Sequence, residues 1–177
     1  MSYKKILICG FSGAGKTSFL REIEFSAEGS EWTFSDLDTL ILKEKRYSSI
    51  EALIEKEGWE KFRLWERQVL EGWLKEEEKG IISLGGGTLT PLLLQLLKPI
   101  KKVGLCYIHA PFQDTWERLH LPETEPRPLI KLGQIELQKI YLERQKVFSE
   151  VSWRVENPKG SDLVKLAQEF WQRVLSS

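Results

Sequence analysis

The chain has 177 residues, 41% hydrophobic and 29% charged, with 26 basic residues set against 26 acidic ones for a formal net charge of zero. That length buries a core in one globular domain spanning residues 1–177, and the composition excludes disordered, collagen-like and disulfide-scaffold classes. Zero net charge leaves no broad electrostatic footprint for a nucleic-acid backbone or an anionic membrane, so any anionic ligand has to be met by local basic groups.

In chain order, the pattern predicts a strand at Lys5–Gly10 and a helix at Gly15–Phe25, then a strand at Trp32–Ser35. Helices follow at Asp36–Lys45, Ser48–Glu57 and Trp59–Lys79, then a strand at Ile81–Leu84 and a helix at Pro91–Leu97. The remainder reads as strand Lys102–Ile108, helix Phe112–His120, helix Gln134–Val151, strand Trp153–Glu156 and helix Asp162–Leu175. Short apolar runs alternating with helical periods specify an α/β fold, a parallel sheet with helices on both faces. Phe62, Trp65, Val69 and Trp73 are spaced to form one apolar stripe on the longest helix, which assigns its tryptophans to the core. Leu121–Arg127, with Pro122 and Pro126, is an irregular stretch that serves either as a plain connection or as a lid.

Cys9 and Cys106 sit inside apolar runs without CxxC or Cys/His spacing and read as small buried hydrophobes, consistent with a reducing compartment. MSYKK runs straight into a strand without an apolar signal core, and the most apolar stretch, 81–97, is broken by Gly85-Gly86-Gly87 and Pro91. The expectation is a soluble cytoplasmic protein with no membrane or nucleic-acid partner. His109 and His120 lack ligand spacing or a Ser/Asp constellation and are assigned no chemistry.

Gly10-Phe11-Ser12-Gly13-Ala14-Gly15-Lys16-Thr17 fits GxxxxGK[ST] between a strand-like and a helix-like segment, the context of a P-loop. Glycines there let backbone N–H groups converge on phosphate oxygens at a helix N-terminus, where the macrodipole also favours negative charge. Lys16 then reaches the β- and γ-phosphates of a nucleotide, and the Thr17 hydroxyl ligates Mg²⁺. The nucleotide-binding set is Gly13, Ala14, Gly15, Lys16, Thr17 and Ser18. GTPase features are missing: there is no NKxD and no DxxG. The strand at 81–84 ends in glycines rather than an acid, so the nearest carboxylates for the crevice are Asp36 and Asp38, after the second strand.

The P-loop, Asp36-Leu37-Asp38, Phe62-Arg63 followed by Glu66, Ser83-Leu84-Gly85-Gly86-Gly87, Arg127-Pro128-Leu129 and Arg144 occur in the order and approximate spacing of shikimate kinases. The chain resembles that family over nearly its whole length. The resemblance implies a three-layer αβα P-loop NTPase fold with a five-stranded parallel sheet, a lid near residues 120–130 and an acceptor-binding region near 36–66. It further implies a monomer that transfers the ATP γ-phosphoryl group to the 3-hydroxyl of shikimate, a step toward aromatic amino acids.

Carried over by resemblance, Asp36 holds magnesium, with helix N-capping as its alternative role. Asp38 orients or deprotonates the attacking hydroxyl, and Lys16 and Arg127 stabilise the charge of transfer. Arg63 and Arg144 take the two carboxylate-binding positions, where a guanidinium fork matches two oxygens; surface ion pairs with neighbouring glutamates are the alternative for each. Gly85, Gly86 and Gly87 let backbone approach the acceptor ring, Arg127 closes as the lid arginine and Arg118 packs against adenine.

The chain departs from the family in having Gly58-Trp59 where Gly-Glu is common, Phe148 in place of a Tyr, extra residues between Lys16 and Asp36, and Glu123 and Glu125 in the lid. Its seven tryptophans have no functional account from sequence. Competing readings are a kinase for another polyol acid such as gluconate, a nucleoside monophosphate kinase, and a nucleotide-binding regulatory module without turnover.

Overall fold

Lys5–Cys9 forms the central strand, β1, with all five residues buried, the pattern of a strand covered on both faces. Residues 3–121 and 128–176 are described by the structure, a computed structural model. Ile6 and Ile8 project to one face of the sheet and Leu7 and Cys9 to the other, so the period of two divides the core into two layers. One layer packs Phe19, Leu20 and Ile23 of α1 (Lys16–Ser26) against Phe170, Trp171 and Val174 of α7 (Leu163–Leu175). The other gathers Leu37 and Ile41 of α2 (Leu37–Lys45), the apolar stripe of α3 (Ile50–Lys75), and Leu94 and Leu97 of α4 (Pro91–Leu97). Leu119 of α5 (Phe112–Leu119) and Leu137, Tyr141 and Phe148 of α6 (Gly133–Phe148) complete it. Each fully buried Ile, Leu or Phe stabilises such a layer by about 1.5–3 kcal/mol relative to exposure.

The remaining strands are β2 (Thr33–Asp36), β3 (Gly80–Ser83), β4 (Val103–His109) and β5 (Trp153–Glu156). They form one five-stranded sheet in the order β2-β3-β1-β4-β5, with every pairing parallel. Ile8 stands opposite Ser83 on one side and Cys106 on the other. The chain fills the β2 and β3 side of β1 first and then crosses to β4 and β5, so β1 lies at the topological switch point. A crevice at its carboxyl end is the expected place for a ligand. The three-layer α/β architecture is therefore the one the sequence pattern specifies. Among the described residues, no helix is long and apolar enough to cross a membrane.

Several boundaries differ from the sequence pattern for identifiable reasons. The second strand runs to Asp36, whose side chain caps α2 by accepting from the Thr39 N–H at 3.2 Å. The long helix ends at Lys75 rather than Lys79, since Glu76 is already extended and Glu76-Glu77-Glu78 would put like charges at the negative end of a helix dipole. The Lys79 carbonyl instead accepts from Thr33 N–H at 2.9 Å, leading the chain into β3. Gly58, at φ 82° and ψ 162°, breaks α3 into two segments where a side chain would be strained. In the stripe, Phe62 and Trp73 are buried while Trp65 and Val69 are partly so. Other tryptophans line the opposite layer: Trp153 stacks on Phe170 at 4.5 Å, and Trp32 meets Trp171 edge-on at 5.9 Å.

Candidate active site

The loop after β1 delivers Gly15 to the N-cap of α1 in the left-handed region (φ 93°), which leaves the helix's first N–H groups facing the crevice. Lys16 is buried and donates to the Phe11 carbonyl at 3.0 Å, folding back over the loop. The loop is fastened from the far side of the sheet. Asn157, after β5, donates its amide to the Ala14 carbonyl at 2.8 Å, and its own N–H bonds the His109 carbonyl at 2.7 Å. Arg118 on α5 donates to the carbonyls of Asn157 at 2.9 Å and Gly13 at 3.4 Å. Asn157 was not singled out from sequence; the Asn157-Pro158 turn signal at the carboxyl end of a strand is the one local hint of it.

A cleft of about 270 Å³ opens here, lined on the nucleotide side by Gly13, Gly15, Lys16, Thr17, Ser18 and Arg118. Its other wall carries Asp36, Asp38, Gly85 and Gly86. The Thr17 hydroxyl donates to Asp36 Oδ2 at 3.2 Å while Oδ1 caps α2, so one carboxylate both caps the helix and faces the P-loop hydroxyl. A single hydroxyl and a single carboxylate beside a phosphate cradle is a donor set suited to Mg²⁺, which keeps waters and phosphate oxygens as its other ligands. Ser18 is exposed and Ala14 is buried in the loop.

Beyond Asp38 the cleft wall becomes cationic. A methyl group at Gly87 would lie 2.7 Å from Arg144 Nη2 and 2.9 Å from Arg63 Nη2, so two guanidinium groups from α3 and α6 converge on this one backbone position. Glu66, buried at 2% exposure, pairs with Arg63 and accepts from Thr88 Oγ1 at 2.5 Å, tying the arginine to the glycine loop. At Gly85 a Cβ would stand 2.9 Å from Glu66 Oε1 and 3.2 Å from Asp38 Oδ1, which leaves room there for backbone only. Gly86 abuts the buried Ser12, whose Oγ would be 2.5 Å from an added Cβ.

Surface ion pairing does not describe Arg144. Glu150 turns to Lys98 at 2.7 Å, whereas Arg144 points inward with its Cζ 5.4 Å from the Phe11 ring centroid. Arg144 Nη1 is buried and makes no hydrogen bond among the described residues. Burial, and then the charge of Arg63, lower its pKa to about 10. Arg63 does form its intrahelical pair with Glu66 and still reaches Gly87. Arg127, Glu123 and Glu125 lie outside the described residues.

Groups assigned no chemistry are placed accordingly. His109 Nδ1 is 2.6 Å from Glu156 Oε2, and His120 Nδ1 is 2.8 Å from the Trp116 carbonyl. Both cysteines are buried; desolvation pushes the Cys9 thiol up to about 12 and Cys106 well above its ordinary value. Phe148 stacks on Tyr107 at 5.0 Å inside the core, where a hydroxyl on its ring is not called for.

Comparison with known proteins assigns this arrangement a family. The shikimate kinase profile matches residues 12–175. The chain is 36% identical over 132 residues to shikimate kinase from Caldicellulosiruptor saccharolyticus, covering 73% of this chain and 71% of that one. It is 30% identical over 159 residues to the pentafunctional AROM polypeptide of Yarrowia lipolytica, covering 88% of this chain and spanning 10% of that much longer relative. Shikimate kinase from Acinetobacter baumannii, solved in complex with shikimate, superposes with a TM-score of 0.82 at 26% identity, covering 98% of this chain and 94% of that one.

Proposed function

Because the chain belongs to the shikimate kinase family, we propose that it transfers the γ-phosphoryl group of ATP to the 3-hydroxyl of shikimate, giving shikimate 3-phosphate and ADP. The observation that carries the acceptor assignment is the convergence of Arg63 and Arg144 on Gly87, which directly follows Gly85 and Gly86 of the P-loop cleft lining. Two guanidinium forks aimed at one point suit a carboxylate.

In this reading the loop N–H groups of Gly13 to Ser18 cradle the phosphates at the N-terminus of α1. Lys16 leaves the Phe11 carbonyl for the transferring phosphoryl oxygens, and Arg118 holds the base side of the nucleotide. Thr17 and Asp36 would hold Mg²⁺, which would neutralise phosphate charge when bound with ATP. Asp38 accepts from the attacking hydroxyl and aims it in line with the γ-phosphorus. Arg63 and Arg144 grip the carboxylate, and Gly85, Gly86 and Gly87 form the floor against which the ring lies. Positioning and charge stabilisation account for most of the catalysis such a transfer needs, so Asp38 serves chiefly to orient. Arg127 closes on the phosphates as the lid arginine, an assignment that rests on the sequence pattern alone. The protein acts as a cytoplasmic monomer built on a single domain, with ATP and shikimate as its small-molecule partners and no nucleic acid or membrane involved.

The test is ADP release from Mg-ATP with shikimate, gluconate, AMP and CMP supplied separately. Release dependent on shikimate alone is the expected result. Release with gluconate or a nucleotide would keep the kinase and overturn the acceptor, and ATP binding without stimulated release would identify a regulatory module.

A further inference from the structure

A phosphate cradle holds its ligand with backbone N–H groups, so the ring of Phe11, in the second position of the loop, is not needed for that task. The ring is 1% exposed and enters the core layer that contains α6 rather than the one that contains α1. Two α6 residues one turn apart meet it there. Tyr141 stands edge-on with ring centroids 5.2 Å apart, and the Arg144 Cζ lies over the ring, 5.4 Å from its centroid. Tyr141 is itself fixed: its hydroxyl donates to the Ala110 carbonyl at 2.9 Å, and its ring packs on Phe112 with centroids 5.5 Å apart.

Arg144 needs such a support more than Arg63 does. Arg63 has Glu66 as an ion-pair partner, whereas Arg144 makes no ion pair among the described residues and its Nη1 is buried without a hydrogen bond. The two guanidinium groups also repel each other where they converge on Gly87. The Phe11 ring attracts the Arg144 cation through its quadrupole and uses none of its N–H donors, which keeps the fork available for a carboxylate. A smaller aliphatic side chain at position 11 would forgo that attraction and leave space beside the guanidinium into which it can retreat from Gly87.

We propose that Phe11 is a positioning residue of the acceptor site: its ring keeps the Arg144 guanidinium turned toward Gly87, so a side chain of the nucleotide loop sets affinity for the substrate carboxylate. The inference rests on the reading that Arg144 receives that carboxylate. The main-chain carbonyl of Phe11, which accepts from Lys16 Nζ at 3.0 Å and from the Ala14 N–H at 3.1 Å, survives any substitution of the ring. The ring's contribution is therefore read on the acceptor and not on ATP.

The experiment is a double-mutant cycle on the full chain: wild type, Phe11→Leu, Arg144→Gln and the double variant, each assayed for ADP release with shikimate and ATP varied separately. Comparison is made on kcat/KM, which needs no saturation. Phe11→Leu is expected to lower kcat/KM for shikimate about 3- to 30-fold, the span of a cation–π contact from exposed to desolvated settings, with KM for ATP within about twofold. Added to Arg144→Gln, the same substitution is expected to change kcat/KM for shikimate by less than about twofold, because the cation it positions is gone. An unchanged shikimate kcat/KM in Phe11→Leu, an equal loss toward both substrates, or the same fold-loss in the Arg144→Gln background would overturn the proposal; the last outcome marks Phe11 as core packing alone. Should Phe11→Leu fail to fold, Phe11→Met, closer to the ring in volume, is read by the same criteria. Absence of shikimate-dependent ADP release in the wild-type chain, or a wild-type shikimate kcat/KM in Arg144→Gln, overturns the acceptor reading, and this inference with it.

Discussion

Gly87→Ala tests the carboxylate clamp without deleting a charge. The added methyl would sit 2.7 Å from Arg144 Nη2 and 2.9 Å from Arg63 Nη2, where ordinary contact begins near 3.4 Å. Arg144 must therefore retreat by about 0.7 Å and Arg63 by about 0.5 Å. Charge-assisted N–H to carboxylate bonds lie at about 2.7–2.9 Å, so a retreat of that size carries at least one of them beyond useful range. One such bond contributes about 1.5–3 kcal/mol, which corresponds to a rise of about 10- to 150-fold in KM for shikimate. Folding should be spared, because Gly87 is not among the glycines with positive φ and the atoms that must move are the ends of flexible side chains. Coupled-assay kinetics with each substrate varied, alongside a thermal melt, check this. A well-folded variant with unchanged shikimate KM, or one that loses ATP affinity in parallel, would refute the argument that the two arginines meet the acceptor at this position.

Other substitutions probe the nucleotide side and the reacting centre. Lys16→Ala should abolish most turnover by removing charge from the transferring group, and near-normal kcat would sink the P-loop assignment. Asp38→Asn should lower kcat while leaving ATP affinity, measured by calorimetry, close to wild type; unaltered turnover would reduce Asp38 to a half-buried acid in the first turn of α2. Asn157→Ala leaves the Ala14 carbonyl without its 2.8 Å donor in a buried setting, so a loss of about 1–3 kcal/mol in stability and a raised KM for ATP are expected together. A variant with a lowered melting point but unchanged ATP kinetics would show that Asn157 only braces the fold.

The parts of the site legible in sequence are those whose chemistry is local. A phosphate cradle needs glycines, a lysine and a hydroxyl at fixed spacing on a strand-to-helix turn, and 10–17 supply them in eight consecutive residues. Asp36 and Asp38 follow for a similar reason, since a parallel strand delivers its last residues to the crevice. What local spacing left open, or did not announce at all, depends on tertiary packing. Arg144 has glutamates on its own helix that could have claimed it, and only the docking of α4 gives Glu150 to Lys98 and turns Arg144 inward. Asn157 serves the P-loop across 143 positions of sequence, so no local spacing announces it.

Charge arithmetic along the acceptor wall narrows the substrate further. Close to Gly87, Arg63 and Arg144 bring two positive charges and Glu66 returns one negative charge; Asp38, facing Gly85, adds a second negative charge to the same wall, so the positive excess is local to Gly87, where a single carboxylate neutralises it. The pKa of Arg144 is lowered to about 10 first by its burial and then by the neighbouring guanidinium, so the side chain stays charged near neutral pH and a bound anion would offset both effects. A neutral polyol would leave the excess in place, and a nucleoside monophosphate would overshoot it while bringing a base for which this wall offers glycine backbone and little else. Charge alone does not separate shikimate from gluconate, since both carry one carboxylate. Conformational entropy does: a rigid ring has no rotors to lose on binding, whereas an open chain would lose several, at about 0.5–1.5 kcal/mol for each group immobilised.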